Sequence, residues 1–124
     1  MSKKILVVDD DASTVKLVGT VLTSHGYVVS TAVDGLDALV KIKNETPDLV
    51  VLDIMMPEIN GYDVCYQLRF NKDFEKTPIV LITSRPQELD DELGRKSDIE
   101  YVPKPVNSKL LLEKIEYLLS KPKS

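Results

Sequence analysis

The sequence contains few of the residues on which many catalytic and metal sites are built. Among its 124 residues it has one cysteine, Cys65, and one histidine, His25. One cysteine cannot form an internal disulfide, and one histidine cannot supply a site with several imidazole ligands. Ser-His-Asp or Cys-His catalysis would have to use His25, which lies beside Gly26 at the end of a predicted helix. A small domain without a disulfide is typical of a reducing compartment, so we expect a cytoplasmic protein.

Two further absences concern membranes and nucleic acids. No apolar run approaches the roughly 20 residues that a membrane-spanning helix needs. The 16 lysine and arginine residues are outnumbered by 20 aspartate and glutamate residues, which gives a net charge of −4. Nucleic acids and anionic membranes bind basic surfaces. The composition therefore predicts neither membrane association nor direct nucleic-acid binding.

Short apolar runs are the main regular feature that the sequence does contain. Three continuous runs occupy positions 5–8, 49–52 and 79–82, and two weaker runs occupy 28–32 and 99–102. Continuous runs of this length are typical of strands buried on both faces of a parallel sheet, because helices cover both sides of such a sheet. The two weaker runs are expected nearer the edges of the sheet.

Amphipathic segments with helical spacing alternate with these runs. The segment 84–94 is the weakest of them, because it has only Leu89 and Leu93 to bury. Five strands alternating with five helices predict an α/β fold, a flavodoxin-like doubly wound sheet of five parallel strands in the order 2-1-3-4-5. We expect a single domain over residues 1–120 and a flexible tail over 121–124.

Acidic side chains follow two of the predicted central strands. Asp9 and Asp10 come after the first strand and Asp53 after the third, at the edge where sheets of this kind bind ligands. Carboxylates so close together destabilise a fold unless a cation lies between them. Oxygen ligands favour Mg²⁺, with Mn²⁺ as the alternative, and the backbone carbonyl near Met55 can add another oxygen. Asp11 is interpreted as the cap of the following helix.

The remaining residues at this edge suit a phosphoryl group. A carboxylate oxygen of Asp53 that attacks phosphorus would give an aspartyl phosphate. Mg²⁺ and the ammonium group of Lys104 would neutralise the phosphoryl charge, while the Thr83 hydroxyl would donate to another oxygen. Lys104 lies between two prolines, and the Lys104–Pro105 bond is a candidate for a cis peptide.

Four segments together resemble the receiver domain of two-component response regulators, the CheY-like family. They are positions 5–11, 52–61, 81–84 and 101–105, in the family's order, and the resemblance covers nearly the whole chain. It implies that a histidine kinase or a histidine phosphotransfer protein phosphorylates Asp53. It also implies that the metal is bound by Asp9, Asp10, Asp53 and the Met55 carbonyl. The residues that it implies in contact with the phosphoryl group are Thr83, Ser84 and Lys104.

The same resemblance implies a switch and its readout. A phosphoryl group adds roughly −1.5 to −2 charges. If Thr83 moves toward it, Tyr101 can rotate inward, and the face formed by the predicted fourth helix, fifth strand and fifth helix changes shape. We expect this face to bind a downstream protein target or an attached output domain, and a phosphorylation-dependent dimer is left open. Met55 and Arg85, each two residues beyond a key site, are expected to tune dephosphorylation.

A phosphoryl-accepting receiver would not be an enzyme in the usual sense, because it would catalyse only its own phosphorylation and dephosphorylation. Two other functions are alternatives to it. A small Mg²⁺-dependent aspartyl phosphohydrolase is suggested by the Asp-x-Asp spacing of Asp9 and Asp11, but it leaves Asp53 unexplained. A pseudo-receiver that never takes phosphate would serve only as an interaction module. The complete set of Asp9, Asp10, Asp53, Thr83 and Lys104 disfavours it.

Overall fold

The computed structural model describes residues 2–56, 59–84 and 98–121, and its elements alternate as the sequence predicts. In chain order they are β1 (Lys4–Val8), α1 (Ala12–Ser24), β2 (Val28–Ala32), α2 (Gly35–Glu45), β3 (Leu49–Asp53), α3 (Gly61–Arg69), β4 (Ile79–Thr83), β5 (Ile99–Pro103) and α4 (Ser108–Ser120). Apart from Ser84, the predicted fourth helix over 84–94 lies outside the described residues. The helix labelled α4 is therefore the fifth of the prediction.

The five strands form one parallel sheet in the order β2-β1-β3-β4-β5. The predicted flavodoxin-like order is confirmed. Because the chain moves outward from β1 to β2 and then returns to place β3 on the other side of β1, the strand order reverses between β1 and β3. In open α/β sheets a ligand crevice forms at the carboxyl ends of the strands at such a reversal.

Alternate residues of the central strands pack into two apolar layers, one on each face of the sheet. Leu6, Leu52 and Leu81 face α2 and α3, whereas Ile5, Val51 and Ile82 face α1 and α4. Every residue of β3 and β4 is buried, but β2 and β5 keep several partly exposed positions. The weaker apolar runs therefore form the two edge strands, as predicted.

Polar caps fix the starts of the four helices. The N-caps are Asp11, Asp34, Asn60 and Asn107, and the side chain of each accepts a hydrogen bond from a backbone N–H in the first turn. This satisfies donors that a helix leaves unpaired at its start. The capping role predicted for Asp11 is thus confirmed, and its helix ends as predicted beside Gly26, which has a φ of 89°.

A buried arginine fastens the opposite edge of the sheet. Arg69, at the end of α3, is 4% exposed and donates hydrogen bonds to the backbone carbonyls of Thr77 (2.7 Å) and Asp98 (3.1 Å). Thr77 precedes β4 and Asp98 precedes β5. One guanidinium group therefore ties α3 to the starts of both strands, and burial lowers the pKa of Arg69.

The end of α4 is also attached to β5. Lys121 forms an ion pair with the Asp98 carboxylate at 3.2 Å, and its ammonium group lies 5.4 Å from the centre of the Tyr117 ring. The rest of the predicted tail, 122–124, lies outside the described residues. None of the helices in the described part of the chain combines the length and apolar character that crossing a membrane requires.

Candidate functional site

Three carboxylates meet at the strand-order reversal. Strand β3 is one residue longer than the predicted run 49–52, so Asp53 is its last residue and does not follow it. Asp9 and Asp10 directly follow β1. One oxygen from each of the three lies within 4.8 Å of the others. Asp9 and Asp53 are 2% and 1% exposed, whereas Asp10 is exposed at the surface. The three groups predicted to share a cation are therefore brought together with one side open.

Lys104 lies against the two buried carboxylates. Its Nζ is 3.4 Å from Asp53 Oδ2 and 3.5 Å from Asp9 Oδ2. The lysine is held there by its backbone, since its N–H donates to the carbonyl of Thr83 at 2.8 Å. The Lys104–Pro105 peptide is cis, as the sequence suggested. The predicted convergence of Lys104 and Asp53 is thus present.

The charges of this group are unbalanced, because three carboxylates face one ammonium group. Burial, assisted by the negative charge of Asp53, raises the pKa of Asp9 to about 6 despite opposing effects from the Asp11 amide and Lys104. Burial lowers the pKa of Lys104, but the carboxylates of Asp53 and Asp9 outweigh it and the net pKa is raised. The folded chain thus holds negative charge that Lys104 alone does not neutralise.

The side chains fit a small divalent cation. Asp9 Oδ2 is buried and, among the described residues, accepts no hydrogen bond that meets geometric criteria. Its charged neighbour is the Lys104 ammonium group at 3.5 Å, which it shares with Asp53, so a buried charged oxygen is left with room for a further cation. The other oxygen of Asp9 accepts from the Asp11 amide at 2.9 Å, and Asp53 Oδ1 accepts from the Met55 amide at 3.1 Å. Each buried carboxylate is therefore oriented by a backbone donor, and hard oxygen ligands of this kind suit Mg²⁺.

The other predicted residues lie around this centre. Thr83, the last residue of β4, is buried, and Ser84 is exposed just beyond it. Tyr101 of β5 pairs in register with Leu81, two residues before Thr83, so Thr83 and Tyr101 lie on the same face of the sheet. Met55 is 56% exposed beside Asp53. Arg85 lies outside the described residues.

Sequence interpretation missed two contributors to the geometry. The backbone amide of Asp11 orients Asp9, a role that a helix-capping interpretation does not contain. Gly35 lies in contact with Ile59, near the end of the connection from β3 to α3. The Asp34-Gly35 pair signals a helix start, but no local pattern announces a contact with a residue 24 positions away.

The chain belongs to the family of response regulator receiver domains. The family model described as "Response regulator receiver domain" matches residues 5–116. The fold and the acidic crevice agree with this assignment, and so does the resemblance inferred from the four sequence segments. The chain is thus a receiver domain of the two-component type, a signalling module.

Individual relatives are transcriptional regulators. The chain is 42% identical over 120 residues to the alkaline phosphatase synthesis transcriptional regulatory protein PhoP of Bacillus subtilis, covering 96% of this chain and 49% of that protein. It is 39% identical over 116 residues to the DNA-binding response regulator MtrA of Mycobacterium leprae, covering 93% and 50%. The chain therefore spans about half the length of the curated relatives it matches.

Solved structures show the same fold over the whole chain. A putative response regulator from Chloroflexus aurantiacus superposes with a TM-score of 0.89 at 27% identity, covering 98% of this chain and 100% of that one. The chemotaxis response regulator CheY4 of Vibrio cholerae gives 0.86 at 29% identity, covering 95% and 99%. Both structures match over nearly their whole length, so the described elements have the receiver-domain fold.

Proposed function

We propose that this receiver domain accepts a phosphoryl group on Asp53, in a Mg²⁺-dependent reaction, from a histidine kinase or a histidine phosphotransfer protein. The observation that carries the proposal is the meeting of Asp9, Asp10 and Asp53 within 4.8 Å, with Lys104 Nζ 3.4 Å from the Asp53 carboxylate. These four groups lie at the carboxyl edge of the sheet, where folds of this kind bind their ligands.

The chemical step is a displacement at phosphorus. An oxygen of Asp53 forms a bond to phosphorus while the bond from phosphorus to the donor's imidazole nitrogen breaks. The electron pair of that bond stays on the nitrogen, which then takes a proton from water. A carboxylate nucleophile has no proton to lose as it attacks, so the step uses no general base and depends chiefly on positioning and on neutralising charge.

The surrounding residues have distinct tasks in this step. The Met55 amide holds one oxygen of Asp53, which leaves the other directed at the reacting group. Lys104, whose side chain is 27% exposed, turns from the carboxylates toward the new phosphoryl oxygens. Asp9, Asp10, Asp53 and the Met55 carbonyl would hold Mg²⁺, or Mn²⁺ in its place. The bound cation would supply positive charge against the phosphoryl oxygens.

The signal would leave the site through β4 and β5. Thr83 and Ser84 would contact the phosphoryl group, and the movement of Thr83 would make room on the sheet face that Tyr101 shares. The face that includes β5 and α4 then changes shape for a downstream protein or an attached output domain. Relatives named as transcriptional and DNA-binding regulators suggest an output in gene regulation, with DNA contacts made outside this domain. Met55, and with it Arg85, would tune phosphoryl lifetime in a cytoplasmic signalling protein.

Intact-protein mass after incubation with acetyl phosphate tests the proposal. Wild-type protein with Mg²⁺ is expected to gain one phosphoryl group per chain, stable in acid and labile in alkali. The adduct should be absent when Mg²⁺ is chelated, and absent in Asp53→Asn. Asp73→Asn is the matched control, because Asp73 is an exposed carboxylate near the amino ends of the strands and should leave labelling unchanged.

Other outcomes identify the competing functions. No adduct at saturating acetyl phosphate and Mg²⁺ would contradict phosphoryl acceptance and indicate a pseudo-receiver. Steady release of inorganic phosphate at enzyme-like rates, lost in Asp9→Asn but kept in Asp53→Asn, would indicate a phosphohydrolase instead.

A further inference from the structure

Gly61, the first residue of α3, packs against the backbone of the residue proposed to be phosphorylated. A Cβ atom placed on Gly61 would lie 3.0 Å from the carbonyl carbon of Asp53 and 2.7 Å from Ile54 Cα, and closer than either to the Asp53 carbonyl oxygen. Real Cβ atoms essentially never come within 3.0 Å of another atom. A larger residue at this position must therefore force apart the start of α3 and the peptide that joins Asp53 to Ile54.

The requirement at Gly61 is for space and not for an unusual backbone conformation. The φ of Gly61 lies outside the left-handed region that Gly26 occupies. Alanine is a better helix former than glycine, so helix propensity alone would favour Gly61→Ala. The contact with the Asp53 backbone is therefore the feature of this position that disfavours a side chain.

The contacted backbone is hydrogen-bonded to two elements. The Ile54 N–H donates to the Ile82 carbonyl of β4, and the Ile54 carbonyl accepts from the Gly61 N–H, both at 3.0 Å. The backbone that follows Asp53 is thus attached to the sheet and to α3 at once. It cannot move away from a side chain at position 61 without straining these hydrogen bonds.

The same backbone orients the Asp53 carboxylate. The Met55 amide, one residue beyond the contacted peptide, donates to Asp53 Oδ1 at 3.1 Å, and Asp53 Oδ2 lies 3.4 Å from Lys104 Nζ. If Asp53 shifts as a whole, its carboxylate moves relative to Lys104. If the peptide turns instead, it carries the Met55 amide away from Oδ1. Either movement changes the direction of the oxygen that would attack phosphorus.

The start of α3 is also held in place. Asn60 and Asp63 form a reciprocal capping box, in which each side chain accepts from the other residue's backbone N–H. Val64, one turn into the helix, is fully buried, and Arg69 fastens the far end of the helix to the sheet. The displacement is therefore shared between two held partners, and part of it falls on the backbone beside the carboxylate.

We propose that Gly61 is a positioning residue for phosphoryl transfer. Because it has no side chain, α3 begins directly against the Asp53 backbone, and this contact fixes the direction of the attacking carboxylate oxygen. Gly61 contacts no reacting atom and acts only through the Asp53 backbone and the Met55 amide. The inference rests on the phosphorylation of Asp53 proposed above.

The rate of labelling by acetyl phosphate tests the proposal. Mg²⁺ is raised for each variant until the rate no longer increases, so that a change in metal affinity does not affect the comparison. In Gly61→Ala the added Cβ and Ile54 Cα must separate from 2.7 to 3.0 Å, a shift of at least 0.3 Å. Since a misplacement of 1 Å can cost about 100-fold in rate, we expect labelling to be slower by about fivefold or more.

Two control variants separate positioning from stability. Gly19 lies inside α1, and the Cβ added in Gly19→Ala would meet only Val29 Cγ1 at 3.8 Å, an ordinary contact. Arg69→Met removes buried hydrogen bonds at the other end of α3 and should destabilise the domain. Both variants should be labelled at the wild-type rate. A merely structural Gly61 would make Gly61→Ala resemble Arg69→Met, with a lower free energy of unfolding but an unchanged rate for the folded protein.

The possible results are distinct. A wild-type labelling rate in folded Gly61→Ala would overturn the positioning role, and so would an equal slowing in Arg69→Met. Wild-type protein that takes up no phosphoryl group would contradict the proposed function itself. Normal labelling of wild type beside slow labelling of Gly61→Ala would support both.

A second background covers the case in which Gly61→Ala does not fold by itself. Gly19→Ala replaces glycine with a better helix former inside α1 and should raise the stability of the domain. The rate for Gly61→Ala is then measured in this background, with folding followed by circular dichroism. A double variant that stays unfolded would show that the contact of Gly61 serves the fold as a whole, and would overturn the specific role in positioning Asp53.

Discussion

At the scale of single residues, Asp9 and Lys104 show that unfavourable repulsion between carboxylates remains in the metal-free site. Asp9 is buried beside Asp53, and its pKa is raised to about 6. Lys104 stabilises both carboxylates, yet one ammonium group cannot balance three negative charges. The cost of the remaining charge is offset only when a cation or a proton enters the site.

Asp9→Asn tests the stored repulsion through its pH dependence. A carboxyl whose folded pKa exceeds its unfolded value contributes stability at low pH that is lost as pH rises through the folded value. The metal-free variant, being neutral, should match wild type near pH 4 and exceed its free energy of unfolding by roughly 1 to 3 kcal/mol above pH 6. Urea unfolding across this range with a chelator present measures the difference.

A control variant and a measurement with Mg²⁺ accompany this test. Asp73→Asn, an exposed carboxylate remote from the site, should show no growing advantage between pH 4 and 6. Saturating Mg²⁺ should reverse the order at pH 7.5, because Asp9 then contributes binding that asparagine lacks. An advantage for Asp9→Asn that is the same at pH 4 and pH 7 would contradict the raised pKa.

Lys104→Met is expected to strengthen Mg²⁺ binding. Its ammonium group competes with the cation for Asp9 and Asp53, so removing it should raise Mg²⁺ affinity by about threefold to tenfold, equivalent to about 0.7 to 1.4 kcal/mol. Calorimetric titration measures the change, with Lys72→Met as the control at an exposed lysine near the opposite edge. A weaker Mg²⁺ affinity would mean that Lys104 organises the carboxylates more than it competes for them.

At the scale of elements, the ends of the strands are fixed by contacts from neighbouring elements. At the carboxyl edge, the Lys104 amide joins β5 to β4 through the Thr83 carbonyl. At the amino edge, Arg69 joins α3 to the starts of β4 and β5. Within the described residues, β5 is an edge strand that pairs with β4 alone, so these contacts help to hold the strand that carries Tyr101.

Arg69→Met should destabilise the domain while leaving Mg²⁺ binding intact. Methionine fills much of the buried volume but removes the arginine's donor from the Thr77 carbonyl, whereas the Asp98 carbonyl keeps its hydrogen bond from the Ile79 N–H at 2.8 Å. A buried carbonyl that stays unpaired costs about 1 to 3 kcal/mol. Chemical denaturation and Mg²⁺ titration provide the two readouts. Lys114→Met, which breaks a partly exposed ion pair with Glu100, should cost less than about 1 kcal/mol.

At the scale of the whole molecule, one sheet separates two apolar layers and brings Asp9, Asp53, Thr83 and Lys104 to one of its edges. The layer under α2 and α3 includes Tyr101, whereas the opposite layer is covered by α1 and α4. A ligand at the carboxyl edge therefore contacts the ends of β1, β3 and β4 together. Its binding free energy is added to the stability of the complete fold.

Mg²⁺ should accordingly raise the melting temperature of the domain. At ten times its dissociation constant, the cation adds about 1.4 kcal/mol to the free energy of unfolding. For a domain of this size the expected shift is roughly 3 to 8 °C, measured by calorimetry and reversed by a chelator. Asp10→Asn should reduce the shift without lowering the metal-free melting temperature, because Asp10 is exposed. An equal shift in Asp10→Asn would place the cation elsewhere.

The amino-acid sequence was enough to predict the strands, the helix cap at Asp11 and the acidic crevice. Continuous apolar runs predict buried parallel strands wherever they occur, and a carboxylate directly after such a run must lie at the carboxyl edge of the sheet. These inferences need only residues close in sequence. They placed Asp9, Asp53, Thr83 and Lys104 at one edge, and the strand order with its edge strands agrees.

The contacts between distant atoms, in contrast, depend on how the helices pack on the sheet. The ion pairs of Lys104, the carbonyls that Arg69 binds and the contact of Gly35 with Ile59 each join positions far apart in the chain. The raised pKa of Asp9 also depends on burial by residues from several elements. Such contacts follow from the packing of helices on the sheet to within tenths of an ångström, a quantity that no local periodicity encodes.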